Sequence, residues 1–263
     1  MFAEERHDTI IQLIKSGQPV KVMDLSLLLN VSEATIRRDL QELENSGLLQ
    51  RTHGGAVAPQ LGAELSFHDR EVCFLDEKRQ IALMAANLVK DGETILLDAG
   101  TTTREIARAL CGKRLTVATN NIDVATIFAD EENIEVLVLG GILRKSINSL
   151  VGPLTNSMLK LFCFDKVFLA ANAVDCTFGA TTPTLVEAET KKAMLQAAKA
   201  TILVVDHSKF EQKAFAKICS LDELSMLITD SGIDQDTLTS LRNHTQVLIS
   251  EQPAKSKGVN IIE

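Results

Sequence analysis

Two groups of residues in this sequence have the types and spacing to bind something. The first is Asp98-Ala99-Gly100-Thr101-Thr102-Thr103. A glycine lets the backbone come close to a ligand, three hydroxyls add donors, and Thr102 with Glu105 has capping-box spacing. A helix starting there presents free amides and a positive dipole end, which suits a phosphate or sugar hydroxyls. No Gly-Lys-Ser/Thr follows, so this is not a P-loop. Further polar clusters come later: Thr119-Asn120-Asn121, Gly140-Gly141 with Arg144, Asp175, and Asp206-His207-Ser208-Lys209. Arg144 and Lys209 are counter-charges for an anion, while Asp98 and Asp175 can accept from hydroxyls. Taken singly, each cluster also fits an ordinary solvated loop. Taken together they suit a phosphorylated polyol. Lys191 and Lys192, within a helical stretch, read as solvated, and His207 as a polar loop residue.

The second group is Val31 to Gly47, VSEATIRRDLQELENSG. Ser32 is placed to cap a helix. Ile36, Leu40 and Leu43 then recur at i, i+4 and i+7 and share a buried face. Ala34, Arg38 and Gln41 point the other way, with Thr35 and Arg37 on the flanks. Gly47 supplies a stop. A short helix with this cationic outer face fits a DNA major groove, although a plain three-helix bundle has the same apolar spacing.

The elements that must position these groups follow from periodicity. Residues 4–16 form a first helix with Ile10, Ile11, Leu13 and Ile14 on one face, closed by Gly17 and Pro19. A second runs from about Lys21 to Leu29, burying Val22, Leu25, Leu28 and Leu29, and Asn30 turns the corner into Ser32: a helix-turn-helix. Residues 48–57, LLQRTHGGAV, read as two short strands around a Gly-Gly turn, the wing of a winged helix. That places Arg51 and His53 near phosphate or the minor groove. A connector, 58–75, holds the breakers Pro59 and Gly62. A helix over about 76–90, with Ile81, Ala82, Ala85, Leu88 and Val89 inward, then leads to the strand TILLD. Apolar runs recur at 115–119, 135–139, 166–170, 201–205, 225–229 and 245–249. Helical stretches at 102–111, 121–131, 153–163, 184–199 and 234–243 separate most of them. Continuous apolar strands alternating with helices predict an α/β domain with an open, mostly parallel sheet covered on both faces. Ligands of such sheets collect at the carboxyl ends of the strands, where the first group of residues falls. The expected domains are 1–57, a linker over 58–75, 76–250, and a tail over 251–263.

Composition narrows the partners. The net charge of −8 counts against a generic nucleic-acid coating protein, so DNA binding must rest on the placement of Arg37, Arg38 and Arg51. The five cysteines show neither a CxxC pair nor a metal-ligand spacing, which predicts free thiols in a reducing cytoplasm, no metal and no cofactor. No apolar run is long enough to cross a membrane, and the charged N-terminus does not read as a signal peptide.

VSEATIRRDLQELENSGLLQRTHGGAV closely resembles the N-terminal region of DeoR-type bacterial transcriptional repressors, with their S-x-x-T-I-R-R-D-L core and R-x-H-G-G-A wing. The series DAGTTT, TNN, GGILR, VD…G…TT and DHSKF is similar to the sensor domain of the same family, whose fold resembles ribose-phosphate isomerase. The resemblance implies that Ser32, Thr35, Arg37 and Arg38 contact operator DNA. Ala34, Arg51 and His53 complete the expected interface, while Asp39 orients an arginine or braces the helix. By the same match a phosphorylated sugar effector falls to Asp98, Gly100, Thr101, Thr102, Thr103, Thr119, Asn120, Gly140, Gly141, Arg144, Asp175 and Lys209. One segment departs from the family: Ala171-Asn172-Ala173-Val174-Asp175 stands where many relatives have G-A-D-G-x-D or G-x-N-G-x-D.

The expectation is therefore a cytoplasmic, homo-oligomeric repressor of a carbohydrate-utilisation operon, released from double-stranded operator DNA by a phosphorylated sugar. The competing reading is a sugar-phosphate isomerase or deaminase with an accessory DNA-binding domain, using Asp175, His207 and Lys209 for acid–base chemistry. Asn172 argues against it, because an amide cannot abstract a proton.

Overall fold

A computed structural model of the chain describes residues 3–15, 20–45, 49–52, 54–57 and 73–251. His53, Gly47 and most of the expected linker lie outside them. The chain forms two compact units, Met1–Leu75 and Asp76–Glu263.

In the first unit, α1 (Ala3–Lys15), α2 (Val22–Leu29) and α3 (Glu33–Asn45) are accompanied by β1 (Val20–Lys21), β2 (Gln50–Thr52) and β3 (Gly55–Val57). Ile10 and Ile14 of α1 pack with Val22, Leu25 and Leu29 of α2 and with Ile36, Leu40 and Leu43 of α3. Leu28 departs from expectation: it is 62% exposed, because the 100° step carries it off the face that Leu25 and Leu29 share. Asn30 ends α2 in the left-handed region at φ 51°. Ser26 locks the corner by donating to the Val31 carbonyl at 2.6 Å. β2 and β3 pair antiparallel as the expected wing, and β1 adds a third strand on the far side of β3.

The second unit is built on seven parallel strands, in spatial order β15-β14-β12-β9-β4-β5-β6. In chain order these are β4 (Thr94–Leu97), β5 (Leu115–Thr119), β6 (Ile134–Val138), β9 (Phe164–Leu169), β12 (Ala198–Val204), β14 (Met226–Asp230) and β15 (Val247–Ser250). They are the seven apolar runs, and both faces of the sheet are covered. Leu96, Val167, Leu169, Leu203 and Leu227 enter one core, while Ile95, Leu97, Phe168, Ile202, Val204 and Ile228 enter the other. That is the alternation of a strand buried on both sides. The helices α4 (Leu75–Asn87), α5 (Thr101–Leu110), α6 (Ile122–Ile127), α7 (Pro153–Leu159), α8 (Leu185–Gln196) and α9 (Gln235–Arg242) fall within the expected helical stretches, apart from single-residue overhangs at their ends. The hairpin β7 (Ile142–Arg144) to β8 (Ser149–Val151) was not anticipated. Nor was the small antiparallel sheet of β10 (Ala173–Asp175), β11 (Gly179–Thr182) and β13 (Ala216–Cys219).

Candidate nucleic-acid interface and ligand cleft

The outer face of α3 is what its spacing dictates. Ala34, Arg37, Arg38 and Gln41 are exposed and Thr35 is half-buried, while Ile36 and Leu40 are fully enclosed. Ser32 caps the helix: its Oγ accepts from the Thr35 amide at 3.1 Å and lies 2.9 Å from the Thr35 hydroxyl. Arg37 donates to Glu33 and Arg38 to Glu42, each at 3.2 Å and each one turn away. With its side chain 82% exposed, Arg38 is held by a weak surface pair that a phosphate or base edge can replace. On the wing, the Arg51 amide donates to Glu44 at 2.8 Å and its guanidinium donates to Gln41, tying β2 to α3.

What fixes the pitch of α3 lies behind it. Asp39 is 3% exposed and takes a two-pronged bond from Arg6 of α1, Nε to Oδ2 at 2.7 Å and Nη2 to Oδ1 at 2.9 Å. His7 sits 3.3 Å from the same carboxylate. Burial opposes the charged form of Asp39, but the bonds from Arg6 and His7 outweigh it and hold the carboxyl below its ordinary value. Asp39 thus braces the helix, one of the two roles expected of it, and Arg6 is a supporting residue the sequence did not single out. His7, Asp39 and Glu42 have metal-ligand proximity, but the guanidinium occupies both Asp39 oxygens and would repel a cation.

In the second unit, all seven strands run the same way, so Asp98, Thr119 and Ala170 come out along one edge of the sheet. Asp98, 1% exposed, accepts on Oδ2 from the Ala170 amide at 3.0 Å and from Lys191 Nζ, which also donates to the Ala170 carbonyl at 3.0 Å. Lys191 is therefore not solvated as its helical position suggested. At 5% exposure it reaches from α8 under the end of β9. Lys192 is half-buried and pairs with Glu189 at 3.1 Å. Asp98, Asn120, Ser149, Glu187, Thr190 and Lys191 line one narrow cleft, to which the β7–β8 hairpin contributes Ile147, Ser149 and Val151. Asn120 fastens that hairpin by donating to Ser149 Oγ at 2.9 Å and to the Leu150 carbonyl at 3.0 Å. Its Oδ1 is buried and has no partner. Arg144 clamps the hairpin to the start of α8, donating to Thr184 Oγ1 at 2.6 Å and meeting Glu187 Oε2 at 3.0 Å.

The expected ligand residues thus divide. Asp98 and Asn120 line the cleft and Arg144 reaches its Glu187 wall, while Gly100 and Thr101 to Thr103 follow Asp98 directly. The capping box expected of Thr102 and Glu105 does not form. Gly100 is the N-cap, without a side-chain bond, and Glu105 turns to Arg108 and Arg79. The Thr103 hydroxyl turns back, lying 2.6 Å from the Asp98 carbonyl and 3.0 Å from that of Gly100. A Cβ on Gly100 would stand 2.7 Å from Ala170 Cβ, so its bareness serves the approach of β9. Thr119 Oγ1 accepts from the Asn121 amide at 3.1 Å. The Gly140 amide points at Met158 Sδ at 3.2 Å, and a Cβ on Gly141 would lie 2.2 Å from Thr155 Oγ1. These two glycines let α7 pack closely. Asp175 belongs to the small sheet, where the Phe178 amide at 2.6 Å and Lys213 at 3.2 Å outweigh its burial and keep its carboxyl below the ordinary range. Lys209 stands half-buried in a short 3-10 turn, with no partner among the described residues.

A more open hollow lies between α8 and β13, lined by Lys192, Gln196, Lys217 and Glu223 among others. Its lysines are committed to neighbours, Lys192 to Glu189 and Lys217 to Ser220, and Cys219 on its floor is held by burial as a thiol with a pKa pushed up to about 12. The strand-end cleft gathers more buried polar groups but has no space of water size in this structure, whereas the hollow holds about 340 Å³.

Comparison with known proteins bears on both sites. A family profile described as the DeoR-like helix-turn-helix domain matches residues 6–60, and one described as the DeoR C-terminal sensor domain matches residues 74–231. The HTH-type transcriptional regulator GlpR of Haloferax volcanii is 37% identical over 100% of this chain and 98% of its own. The glycerol-3-phosphate regulon repressor of Escherichia coli is 32% identical over 93% of this chain and 97% of its own. Among solved structures, ribose 5-phosphate isomerase A of Methanocaldococcus jannaschii is similar with a TM-score of 0.39 and 20% identity, over 52% of this chain and 55% of the other.

Proposed function

The chain belongs to the DeoR family and is a DNA-binding transcriptional regulator rather than an enzyme; from that premise we propose that it represses a carbohydrate-utilisation operon and leaves its operator when a phosphorylated sugar binds the strand-end cleft. The observation that carries the DNA half of the reading is the capped α3, whose outward Ala34, Thr35, Arg37 and Arg38 stand over a helix braced from behind by Arg6 and Asp39. Arg51 supports the wing and His53 follows it in sequence. A cytoplasmic homo-oligomer that sets its recognition helices in successive major grooves completes the reading. Among the described residues, no helix is long and apolar enough to cross a membrane.

The sugar-phosphate half is supported by the buried polar groups around Asp98 and Asn120 and by a relative named for the glycerol-3-phosphate regulon. Amides at the start of α5 and the cations Arg144 and Lys209 are the candidate phosphate partners, with Thr101 and Thr102 beside them. A ligand shifts the equilibrium only through different affinities for the DNA-bound and released conformations. The test is fluorescence anisotropy on DNA from the protein's own promoter region at fixed salt, with and without phosphorylated pentoses, hexoses and glycerol 3-phosphate. Release by one compound is expected. Tight binding that none of them alters would overturn the effector assignment and leave the DNA assignment standing.

A further inference from the structure

We infer that β6 (Ile134–Val138) and the elements beside it form the face on which a second copy of this chain docks, by a two-fold pairing of the two β6 edges. β6 is the last strand of the seven-stranded sheet and pairs with β5 alone, so its outer edge carries no strand among the described residues. Such an edge offers unpaired amides and carbonyls to another chain, and soluble monomers blunt it with proline, lysine or a bulge. β6 reads IEVLV and has one charge, Glu135, to serve that end. Around it the surface is apolar. Val138 at the end of β6, Ile142 and Leu143 of β7, Leu154 of α7 and Leu161 just past that helix are each between 42% and 78% exposed. Two glycines join them: a Cβ on Gly140 would stand 3.7 Å from Leu154 Cδ2, and one on Gly152 3.9 Å from Ile142 Cδ1. A contiguous apolar patch of this kind marks an interaction site, where scattered single side chains would not. The other edge of the sheet gives the contrast. From Ala216 to Ser250, the stretch that holds β14, α9 and β15, no large apolar side chain is exposed.

Charge selects the occupant. The exposed acids Asp130 and Glu132 precede β6, and the exposed Lys145 follows it in the hairpin. A two-fold axis across β6 sets the strands antiparallel, so the acidic end of each edge meets the lysine end of the other. The edge is thereby complementary to itself, as a closed two-fold interface requires. Its size is also adequate. Residues 130–161 hold enough accessible positions to supply the roughly 20–30 residues a side of a standard interface. The inference rests on the homo-oligomeric part of the functional reading and gives that assembly a place. A two-fold dimer also matches the paired half-sites that two recognition helices read.

The experiment is sedimentation velocity of the full chain across a dilution series, with circular dichroism and urea unfolding to confirm that each variant folds. The wild-type protein is expected to be a dimer or a multiple of one. Ile142→Arg with Leu154→Arg puts cations where the apolar patch meets its copy. This variant is expected to halve the particle mass, with the dissociation constant of that step raised at least about thirtyfold. Phe215→Arg, at an 83% exposed residue outside this edge, is expected to leave assembly unchanged. A second pair of substitutions spares the apolar patch. Lys145→Glu and Glu132→Lys are each expected to weaken the dimer by about threefold, and together to restore it. A double charge variant weaker than either single one overturns the two-fold pairing. An assembly that survives Ile142→Arg with Leu154→Arg overturns the inference, leaves the homo-oligomer standing and gives this edge to a different protein. A wild-type chain that is monomeric at every concentration overturns both.

Discussion

The two units of this chain use charge in opposite ways. On α3 (Glu33–Asn45) the cations Arg37 and Arg38 are outside, each resting on an acid one turn away, with the buried pair Arg6–Asp39 behind them. In the cleft the charged groups are inside and already bonded to one another: Asp98 to Lys191, and Arg144 to Glu187. A long, rigid anion such as DNA can be met on a surface, where weak pairs exchange freely for phosphates. A small polyol is distinguished from its neighbours only by hydrogen bonds made away from water. The difference has a consequence for mutation. Substitutions on the first surface should change function without stability, whereas substitutions in the cleft should change both.

The largest expected effect breaks that comparison at its buried end. Lys191→Met strands the Asp98 carboxylate at 1% exposure, and removing one partner of a buried pair costs about 3–5 kcal/mol. Urea unfolding should show a free energy lowered by that order in the second unit, and adding Asp98→Asn should restore most of it. A loss below about 1 kcal/mol would mean that the pair is solvated and that the contrast between the units fails.

Much of this contrast is legible in the sequence, and what is not has two physical causes. The seven sheet strands show themselves because burial on both faces demands unbroken apolar runs such as TILL and VFL. The face of α3 shows itself through its 3.6-residue period. By contrast β7, β8, β10 and β11 are only three or four residues long, too short to leave a periodic trace even though β7–β8 and β10–β11 pair as local hairpins. Lys191 escapes a local reading for a different reason. A lysine in the polar-looking run EAETKK gives no local sign that the end of β9 passes over it. Arg6 was overlooked likewise, since its partner is 33 residues away. Local pattern reports burial; it does not report which distant group a buried charge will meet.

Next in size is the exposed end of the comparison. Arg38→Ala removes a side chain whose partner among the described residues is Glu42 on the surface, so the unfolding free energy should change by less than about 1 kcal/mol. Operator affinity, measured by anisotropy, should fall by about 1–3 kcal/mol, roughly five- to 150-fold, with sugar-phosphate binding unchanged. Unaltered DNA binding would remove α3 as the recognition helix. Ser32→Ala sharpens the same point. It deletes the cap that accepts from the Thr35 amide, and the first unit should lose about 1 kcal/mol. DNA affinity should then drop only as far as the first turn of α3 frays, which hydrogen exchange at the Thr35 and Ile36 amides would reveal.

The smallest effect concerns a group between the two extremes, His207, half-buried at the carboxyl end of β12 (Ala198–Val204). Its Nδ1 lies 2.7 Å from Asp230 Oδ2. That bond raises the imidazole pKa against the opposing effect of burial, with Asp206 beside it and Glu77 on α4 (Leu75–Asn87) adding to the rise. A histidine whose folded pKa exceeds its unfolded value contributes stability that is fully present below about pH 6.5 and is lost as pH rises through the folded value. Burial pushes the Asp230 carboxyl up, but its bonds from His207 and from the His207 and Gly232 amides outweigh that and lower it. Its contribution is therefore lost only as pH falls through a value beneath the ordinary carboxylate range. Between those limits the pair is fully charged. Wild-type stability of the second unit should decline from pH 6.5 toward pH 8 by less than about 1 kcal/mol, after allowance for solvent at the partly exposed ring. In His207→Gln that decline should disappear while DNA binding stays as it was. A decline of the same size in the variant would assign the pH dependence to another group, and His207 would then be the polar loop residue that its sequence suggests.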